Sequence, residues 1–261
     1  MKIKSIFTKI DIVILIIFTM FLTCTLGMVG SKGREMAKRT VCAYHIREHL
    51  GGLTASALDN DGNMPLPRNP GNWFWDIEVG VVNQMLDYGL RRETFYCPSN
   101  PTTEKYMDVY WNYSGQWDGN RFVSDPLSYI ASGYGYALEL QSWNQSTGSG
   151  RETGRGTGRS PIMGSGNKQW VTSLYMPDAS NTELVIDAIL SINTTKLESG
   201  RTFGEVAGGI YARWGIYDRT NHLRDAEHPW GGTIGFLDGH VSWRPFEEME
   251  IRYGTLPNFW W

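Results

Sequence analysis

The sequence predicts an α+β protein in which a long N-terminal transmembrane helix continues into a helix packed on an antiparallel β-sheet head domain with long loops. Three observations support this prediction. An apolar N-terminal stretch with one charged residue is followed by a helical stripe of apolar residues. Thirty glycines, 11 tryptophans and 13 tyrosines are typical of strands and turns rather than of a helical bundle. An Asp-Gly pair between two strand-like segments predicts a β-hairpin near the C-terminus.

The overall composition limits the class of protein. The chain has 261 residues and a formal net charge of −3, from 24 basic and 27 acidic side chains. This length corresponds to one or two domains. Hydrophobic residues at 41% and charged residues at 20% exclude a wholly disordered chain. Because the charge is near neutral, the chain offers no basic surface for nucleic acid, and we expect no nucleic-acid partner.

Residues 10–29 form the apolar stretch, and Asp11 is their one charged residue. Twenty helical residues rise about 30 Å, which matches the hydrocarbon thickness of a bilayer. A cleaved secretory signal has a shorter apolar region, of about 7 to 15 residues, and a small-residue cleavage site. We therefore predict a retained membrane-spanning helix over about residues 10–30, in contact with membrane lipid.

The helix is predicted to continue as an amphipathic segment, so that the whole N-terminal helix covers residues 7–59. Its apolar residues are three or four positions apart and therefore share one helical face: Cys42, Ile46, Leu50, Leu53 and Ala57. Residues 59–63 are rich in aspartate and asparagine, precede Met-Pro, and end the helix in a turn. The remaining residues, 60–261, are predicted to form an extracytoplasmic head domain.

Within the head domain, apolar periodicity predicts one helix, over residues 73–90. Strands are predicted at residues 128–137, 169–175, 183–190, 209–214, 233–237 and 240–244. Residues 147–168 are rich in glycine, serine and arginine and are predicted to be a flexible surface insertion. The chain order of these segments fits a helix packed on an antiparallel sheet.

The last two predicted strands form the strongest hairpin signal in the sequence. Asp238-Gly239 is the residue pair that a two-residue type I′ turn prefers. That turn sets a register in which Phe236 faces Val241 and Ile234 faces Trp243. One face of the hairpin is then apolar.

Several segments, taken in chain order, also carry a family resemblance. Residues 7–11 precede the apolar run, and residues 95–99 and 132–136 follow in the middle of the chain. His228 stands nine residues before Asp238-Gly239. In this order the segments resemble type IV prepilin-like proteins, specifically pseudopilins related to the major pseudopilin of type II secretion, with a C-terminal domain named for a histidine, nine residues and Asp-Gly.

The resemblance implies a short basic leader, residues 1–6, that prepilin peptidase removes between Ile6 and Phe7. It also implies that the carboxylate of Asp11 neutralises the freed amino terminus of a neighbouring subunit. Two departures bear on this: Ile6 replaces the usual glycine, and Asp11 replaces the usual glutamate. Two interpretations stay open, a cleaved chain that enters a filament and an uncut chain whose Asp11 pairs with Lys9 or lies at the membrane interface.

The cysteines leave two alternatives open. Cys42 lies on the apolar helix stripe, and Cys97 begins a loop. A disulfide between them would stabilise the fold by roughly 4 kcal/mol in the chain-entropy picture. The other alternative is two buried thiols. Cys24, within the apolar run, is a small lipid-compatible residue.

Histidines and aspartates of the C-terminal half invite a metal-site interpretation: His222, His228, His240, Asp238 and Asp187. Imidazole and carboxylate groups bind zinc, but the sequence has no HExxH spacing. We therefore expect no metal site and no cofactor. Asp238 is expected to cap its turn, and His228 to form a hydrogen bond nearby, with Asp238 as a candidate partner.

The resemblance thus implies a non-enzymatic, pseudopilin-like structural or assembly protein of a type II secretion or type IV pilus-like system. No GxSxG elbow or recognisable carboxylate pair suggests a catalytic residue. The expected location is the bacterial inner membrane, single-pass, with the head in the periplasm or at the cell exterior. The expected partners are other pseudopilin subunits or secretion-system components. Two alternatives remain, a permanently membrane-anchored binding module for polysaccharide or a protein partner and, more remotely, a membrane-tethered metallohydrolase.

Overall fold

A computed structural model describes residues 8–68, 73–125, 127–139, 170–192, 203–206, 218–225, 228–254 and 257–261. The chain divides into two compact units, Met1–Lys38 and Arg39–Trp261. The second unit combines helices with antiparallel sheets, so the α+β part of the prediction is confirmed. The predicted leader and the predicted insertion at 147–168 lie outside the described residues.

Helix α1 spans Lys9–Leu58, and a capping box fixes its first turn. The Thr8 hydroxyl accepts a hydrogen bond from the Asp11 amide at 3.3 Å. In return, the Asp11 carboxylate accepts from the Thr8 hydroxyl at 2.7 Å and from the Thr8 amide at 2.8 Å. This reciprocal pair satisfies two backbone amides at the start of the helix. These hydrogen bonds lower the pKa of Asp11, so its carboxylate is stabilised as an anion within its own helix.

The prediction of a transmembrane helix over residues 10–30 is wrong, and so is the predicted single-pass location in the inner membrane. In the described part of the chain, no helix has the length and apolarity needed to cross a membrane. Large apolar side chains are exposed along the start of α1, from Ile10 to Leu22. Thr23 and Thr25 follow, with hydroxyls that bond to carbonyls of the preceding turn.

The later part of α1 carries the predicted apolar stripe, and this prediction is confirmed. Every residue of the stripe is at most 2% exposed: Cys42, Ile46, Leu50, Leu53 and Ala57. Burying a large aliphatic side chain contributes about 1.5 to 3 kcal/mol, so this face ties the helix to the head domain.

A glycine lets α1 approach the sheet closely. A Cβ atom built on Gly235 would lie 2.6 Å from Ile46 Cγ2 and 2.8 Å from Leu50 Cδ1. Real Cβ contacts are longer, so a side chain at position 235 would force the side chains of Ile46 and Leu50 to shift. The absence of a side chain is therefore what allows the stripe to pack on this strand.

Helix α1 ends at Leu58, and the predicted turn follows. Gly62 has φ +80°, and its amide bonds to the Ala57 carbonyl at 2.8 Å. Such a left-handed glycine is a common way to satisfy the last carbonyls of a helix. The residues at 59–63 thus end the helix, as predicted.

The predicted helix at 73–90 is shorter than expected. Its first part is strand β1, Asp76–Glu78, and the helix proper is α2, Val79–Asp87. The Asp76 carboxylate accepts a hydrogen bond from the Trp73 amide at 2.9 Å, which favours a turn before the strand. Tertiary pairing of β1 therefore overrides the local helical pattern. A 3₁₀ turn at Arg92–Phe95 and the short helices α3, Pro101–Lys105, and α4, Met107–Trp111, follow.

Eight further strands lie within the described ranges: β2 Tyr129–Ala131, β3 Tyr134–Tyr136, β4 Glu183–Asp187, β5 Ile189–Ser191, β6 Gly231–Phe236, β7 Val241–Pro245, β8 Ile251–Gly254 and β9 Asn258–Trp260. They form a four-stranded sheet in the order β3-β4-β6-β7, a three-stranded sheet β5-β9-β8, and a pair of β1 with β2. Four of the predicted strand regions, 128–137, 183–190, 233–237 and 240–244, are confirmed, although breaks divide the first two. The region 169–175 contributes isolated bridges at Val171 and Ser173, and the region 209–214 lies outside the described residues.

The register predicted for the β6–β7 hairpin is wrong by one residue. Gly235 pairs with Val241, and Thr233 pairs with Trp243. The Phe236 amide bonds to the His240 carbonyl at 2.9 Å, so the loop has three residues instead of two. A three-residue loop ends in a left-handed residue, and Gly239, with φ +91°, supplies it.

His49 anchors α1 to the head domain through a buried hydrogen-bonded network. Its Nε2 lies 3.0 Å from the Thr94 carbonyl oxygen, and its Nδ1 lies 2.8 Å from the Tyr136 hydroxyl. Because a carbonyl only accepts, Nε2 carries the hydrogen, and Tyr136 donates to Nδ1. Burial lowers the pKa of His49 to about 3. The imidazole is therefore held neutral.

Candidate functional site

The predicted processing residues are only partly described. Ile6 and Phe7 lie outside the described residues. Asp11 is bound by Thr8 of its own helix, which accounts for this carboxylate without a second chain.

The family-motif residues lie in two local turns. The His228 ring Nδ1 lies 2.9 Å from the Asp225 carboxylate, whereas Asp238 binds the His240 amide at 3.1 Å and the His240 ring at 2.6 Å. Asp238 thus caps its turn, as predicted, and Gly239 supplies the left-handed turn residue. His228 also forms a local hydrogen bond, but its partner is Asp225 and not the candidate Asp238. The histidine and the Asp-Gly pair therefore take separate structural roles.

The structure instead brings four other side chains together. Cys42 comes from α1, Cys97 from the loop after the 3₁₀ turn at Arg92–Phe95, Asp187 from the end of β4, and His222 from the segment before β6. All four are at most 1% exposed. Both cysteines are thiols rather than a disulfide. We refer to these residues as the Cys-His-Asp cluster.

The polar atoms of the Cys-His-Asp cluster face one another. Cys42 Sγ donates to Asp187 Oδ2 at 3.1 Å. His222 Nε2 lies 3.0 Å from the same oxygen and 3.4 Å from Cys97 Sγ. One such atom from each residue can be chosen so that all four lie within 4.8 Å of one another. The four groups thus point at one common centre.

A second layer of hydrogen bonds orients Asp187. The Asn221 side-chain amide donates to Asp187 Oδ1 at 2.5 Å and to the Gly133 carbonyl at 2.7 Å. The Asn221 side-chain oxygen accepts from Asn100 at 2.9 Å. The Thr233 amide donates to Asp187 Oδ2 at 3.3 Å. The carboxylate is therefore fixed with Oδ2 toward the cluster.

The surroundings of Cys42 favour its neutral form. Burial raises the pKa of the Cys42 thiol, and Cys97 and Asp187 raise it further, while a hydrogen bond to His222 opposes them. Tyr134 donates to Cys42 Sγ at 3.7 Å, and burial likewise raises the pKa of Tyr134. The Cys42 thiol and the Tyr134 hydroxyl are therefore held in their protonated forms.

His222 adopts a strained backbone conformation to reach the cluster. Its φ is +49°, a left-handed value that costs a non-glycine residue about 1 to 3 kcal/mol. The Trp230 amide bonds to the His222 carbonyl at 2.8 Å, and the Trp243 ring packs edge-on against the imidazole at 5.1 Å. These contacts hold the ring in place.

The sequence places these four residues in two separate groups of candidates. For Cys42 and Cys97 the sequence leaves open a disulfide or two buried thiols, and the structure shows two buried thiols. Asp187 and His222 are among the histidines and aspartates that the sequence offers as possible metal ligands. His228, from the same group, lies outside the cluster and bonds to Asp225. Hydrogen-bonded members of the cluster are 145 and 125 residues apart, so local spacing carries no signal for it.

The start of α1 has an exposed apolar surface. Its large apolar side chains are exposed by 45% to 69%. We call residues 10–22 the apolar segment. Six consecutive residues within it, Ile12 to Ile17, are each at least 50% exposed. Since successive helical residues are about 100° apart, these side chains surround the helix on every side.

No protein family model, no curated protein and no solved structure matches this chain. The features that bear on its function are therefore the apolar segment and the Cys-His-Asp cluster.

Proposed function

We propose that this chain is a non-enzymatic structural subunit, similar to a pseudopilin, that assembles with copies of itself through the apolar segment. The observation that carries the proposal is the exposure of large apolar side chains all round the helix from Ile12 to Ile17. A helix that is apolar on every side is normally buried in its functional state. The order of the prepilin-like segments along the chain also supports an assembly role.

The distribution of the apolar side chains favours several neighbours over one. A two-helix seam covers a single stripe of each helix. Here Ile14 and Phe18 share one face, whereas Val13 and Ile16 point elsewhere, and all are at least 50% exposed. A dimer would leave much of this surface in water. A bundle or filament of many copies buries it fully.

The charge pattern supports identical copies as the partner. No charged residue lies between Asp11 and Lys32, so parallel copies of the segment meet without repulsion along its length. The capping box with Thr8 satisfies Asp11 within each chain. Assembly therefore does not require a foreign cation to balance this carboxylate.

Photo-crosslinking of the full chain tests this proposal. With a photoreactive benzoylphenylalanine at position 18, we expect irradiation to give a ladder of covalent dimers, trimers and larger species, because Phe18 is 61% exposed and contacts neighbouring segments.

The matched control places the same photoreactive residue at Val123, which is 56% exposed in the head domain. We expect little crosslinking there. An equal ladder from both positions, or no protein crosslink from position 18, would contradict assembly through the apolar segment.

A further inference from the structure

Beyond the proposed assembly, we propose that Cys42, Cys97, Asp187 and His222 form a closed four-ligand binding site for Zn²⁺. Thiolate, imidazole and carboxylate are the side chains from which protein zinc sites are built. All four side chains are buried and their ligand atoms face one centre. The inference rests on this geometry and is independent of how the apolar segment assembles.

The distances within the cluster approach those of a tetrahedral zinc site. Usual zinc–ligand bond lengths give tetrahedral edges of about 3.3 Å between nitrogen and oxygen and about 3.5 Å between sulfur and either atom. The observed separations are 3.0 Å from His222 Nε2 to Asp187 Oδ2, 3.1 Å from Cys42 Sγ to that oxygen, and 3.4 Å from Cys97 Sγ to Nε2. These three separations need to lengthen by a few tenths of an ångström at most, and all four ligand atoms lie within 4.8 Å of one another.

The charges of the ligands suit a divalent cation. Zinc binding releases the thiol protons of Cys42 and Cys97, which with Asp187 gives three anionic ligands against two positive charges. One net negative charge then remains at the site, and nearby hydrogen-bond donors can stabilise it. The Tyr134 hydroxyl points at Cys42 Sγ, and the Thr233 amide points at Asp187 Oδ2.

The surrounding hydrogen bonds match what a zinc site needs. Ligands of metal ions are held in orientation by an outer layer of hydrogen-bonded groups. Asn221 holds Asp187 Oδ1, so Oδ2 is presented to the ion. The left-handed backbone of His222 is consistent with strain that is stored where a function requires it.

The ligand types select zinc over harder cations. Calcium and magnesium prefer oxygen ligands, whereas two sulfurs and one nitrogen favour zinc. Four protein ligands and complete burial leave no position for a substrate, which is typical of a structural site. The ion would join α1, the Cys97 loop, strand β4 and the segment before β6.

A Cys42–Cys97 disulfide is the competing use of the cluster. It would employ two of the four side chains and remove the S–H group that Cys42 donates to Asp187. The disulfide would leave the contact between His222 and Asp187 but would not use either side chain as a ligand. Zinc engages all four groups at once, which is why we favour it.

Metal analysis of the full chain tests the proposal. We expect the purified protein, after exposure to Zn²⁺ and removal of the excess, to retain one equivalent per chain. Cys97→Ser and Asp187→Asn are each expected to weaken zinc binding by more than about a hundredfold, since even outer-layer changes cost ten- to a hundredfold. Cys24→Ser and His228→Gln alter exposed residues and are expected to bind like the unchanged chain.

Cobalt substitution and intact-mass measurement use the unchanged chain, so they test the proposal even if a variant fails to fold. With Co²⁺, the unchanged chain is expected to show the intense visible bands of a four-coordinate ion and a thiolate charge-transfer band. Zinc is also expected to raise the melting temperature by about 10 °C at saturating concentration. Reduced chain that gives neither signal, or intact mass showing a Cys42–Cys97 disulfide with no retained metal, would overturn the proposal.

Discussion

Lowering the pH from 7 to 4 is expected to reduce the free energy of unfolding by about 3 kcal/mol through one buried side chain, His49. In the unfolded chain this imidazole has its ordinary pKa of 6.5, whereas burial lowers the pKa in the folded protein to about 3. Between these values the unfolded state binds more protons. The stability linked to His49 is therefore fully present above pH 6.5 and is lost as the pH falls toward 3.

The geometry explains why the folded protein resists this protonation. Nε2 donates to the Thr94 carbonyl, and Nδ1 already accepts from the Tyr136 hydroxyl. A proton on Nδ1 would replace that acceptor with a donor in a fully buried site. Nearby His45 disfavours the charge further.

Urea unfolding at several pH values measures the effect. We expect His49→Gln to lose the pH dependence that this imidazole contributes, because glutamine does not titrate. His228→Gln removes a histidine that is 44% exposed and serves as the matched control. Comparing the pH dependence of unfolding in each variant with that in the unchanged chain removes the contribution of the other titrating groups. An unchanged pH slope in His49→Gln would show that this imidazole is not held neutral.

Replacing both Ile14 and Phe18 with aspartate is expected to raise the concentration needed for assembly by at least about a thousandfold. The two side chains are four residues apart and share one helical face, and both are about 60% exposed. Each aspartate would have to leave water on assembly, and an unpaired charge in an apolar interface costs several kcal/mol.

Sedimentation velocity of the full-length variant provides the measurement. Because these side chains are exposed before assembly, we expect the melting temperature of the head domain to stay unchanged. Val123→Asp places the same charge at an exposed apolar position of the head domain and is expected to assemble normally. Assembly of the double variant at the concentration of the unchanged chain would exclude the apolar segment as the interface.

The spacing of apolar residues along the chain correctly predicted the buried face of α1. The stripe from Cys42 to Ala57 is buried as predicted because helix geometry alone places its members on one face. Residues 73–90 show the limit of this reasoning. Their apolar spacing fits a helix, yet pairing with β2 turns Asp76–Glu78 into a strand.

The sequence did not predict the length of the hairpin loop or the contacts between distant segments. Asp238-Gly239 correctly marked the hairpin, but the pair fits both two-residue and three-residue loops, and one extra residue moves every cross-strand neighbour. The apolar stretch suggested a membrane span that the helix does not provide. The Cys-His-Asp cluster draws on four segments far apart in sequence, so only the folded chain brings Asp187 and His222 to the two cysteines.

The mass of the full-length protein in detergent-free buffer, measured by sedimentation equilibrium over a range of concentrations, tests the proposed assembly most directly. We expect species of more than two copies that grow with concentration, because exposed apolar side chains surround the helix from Ile12 to Ile17. A monomer at every concentration, or a dimer that does not grow, would contradict the account.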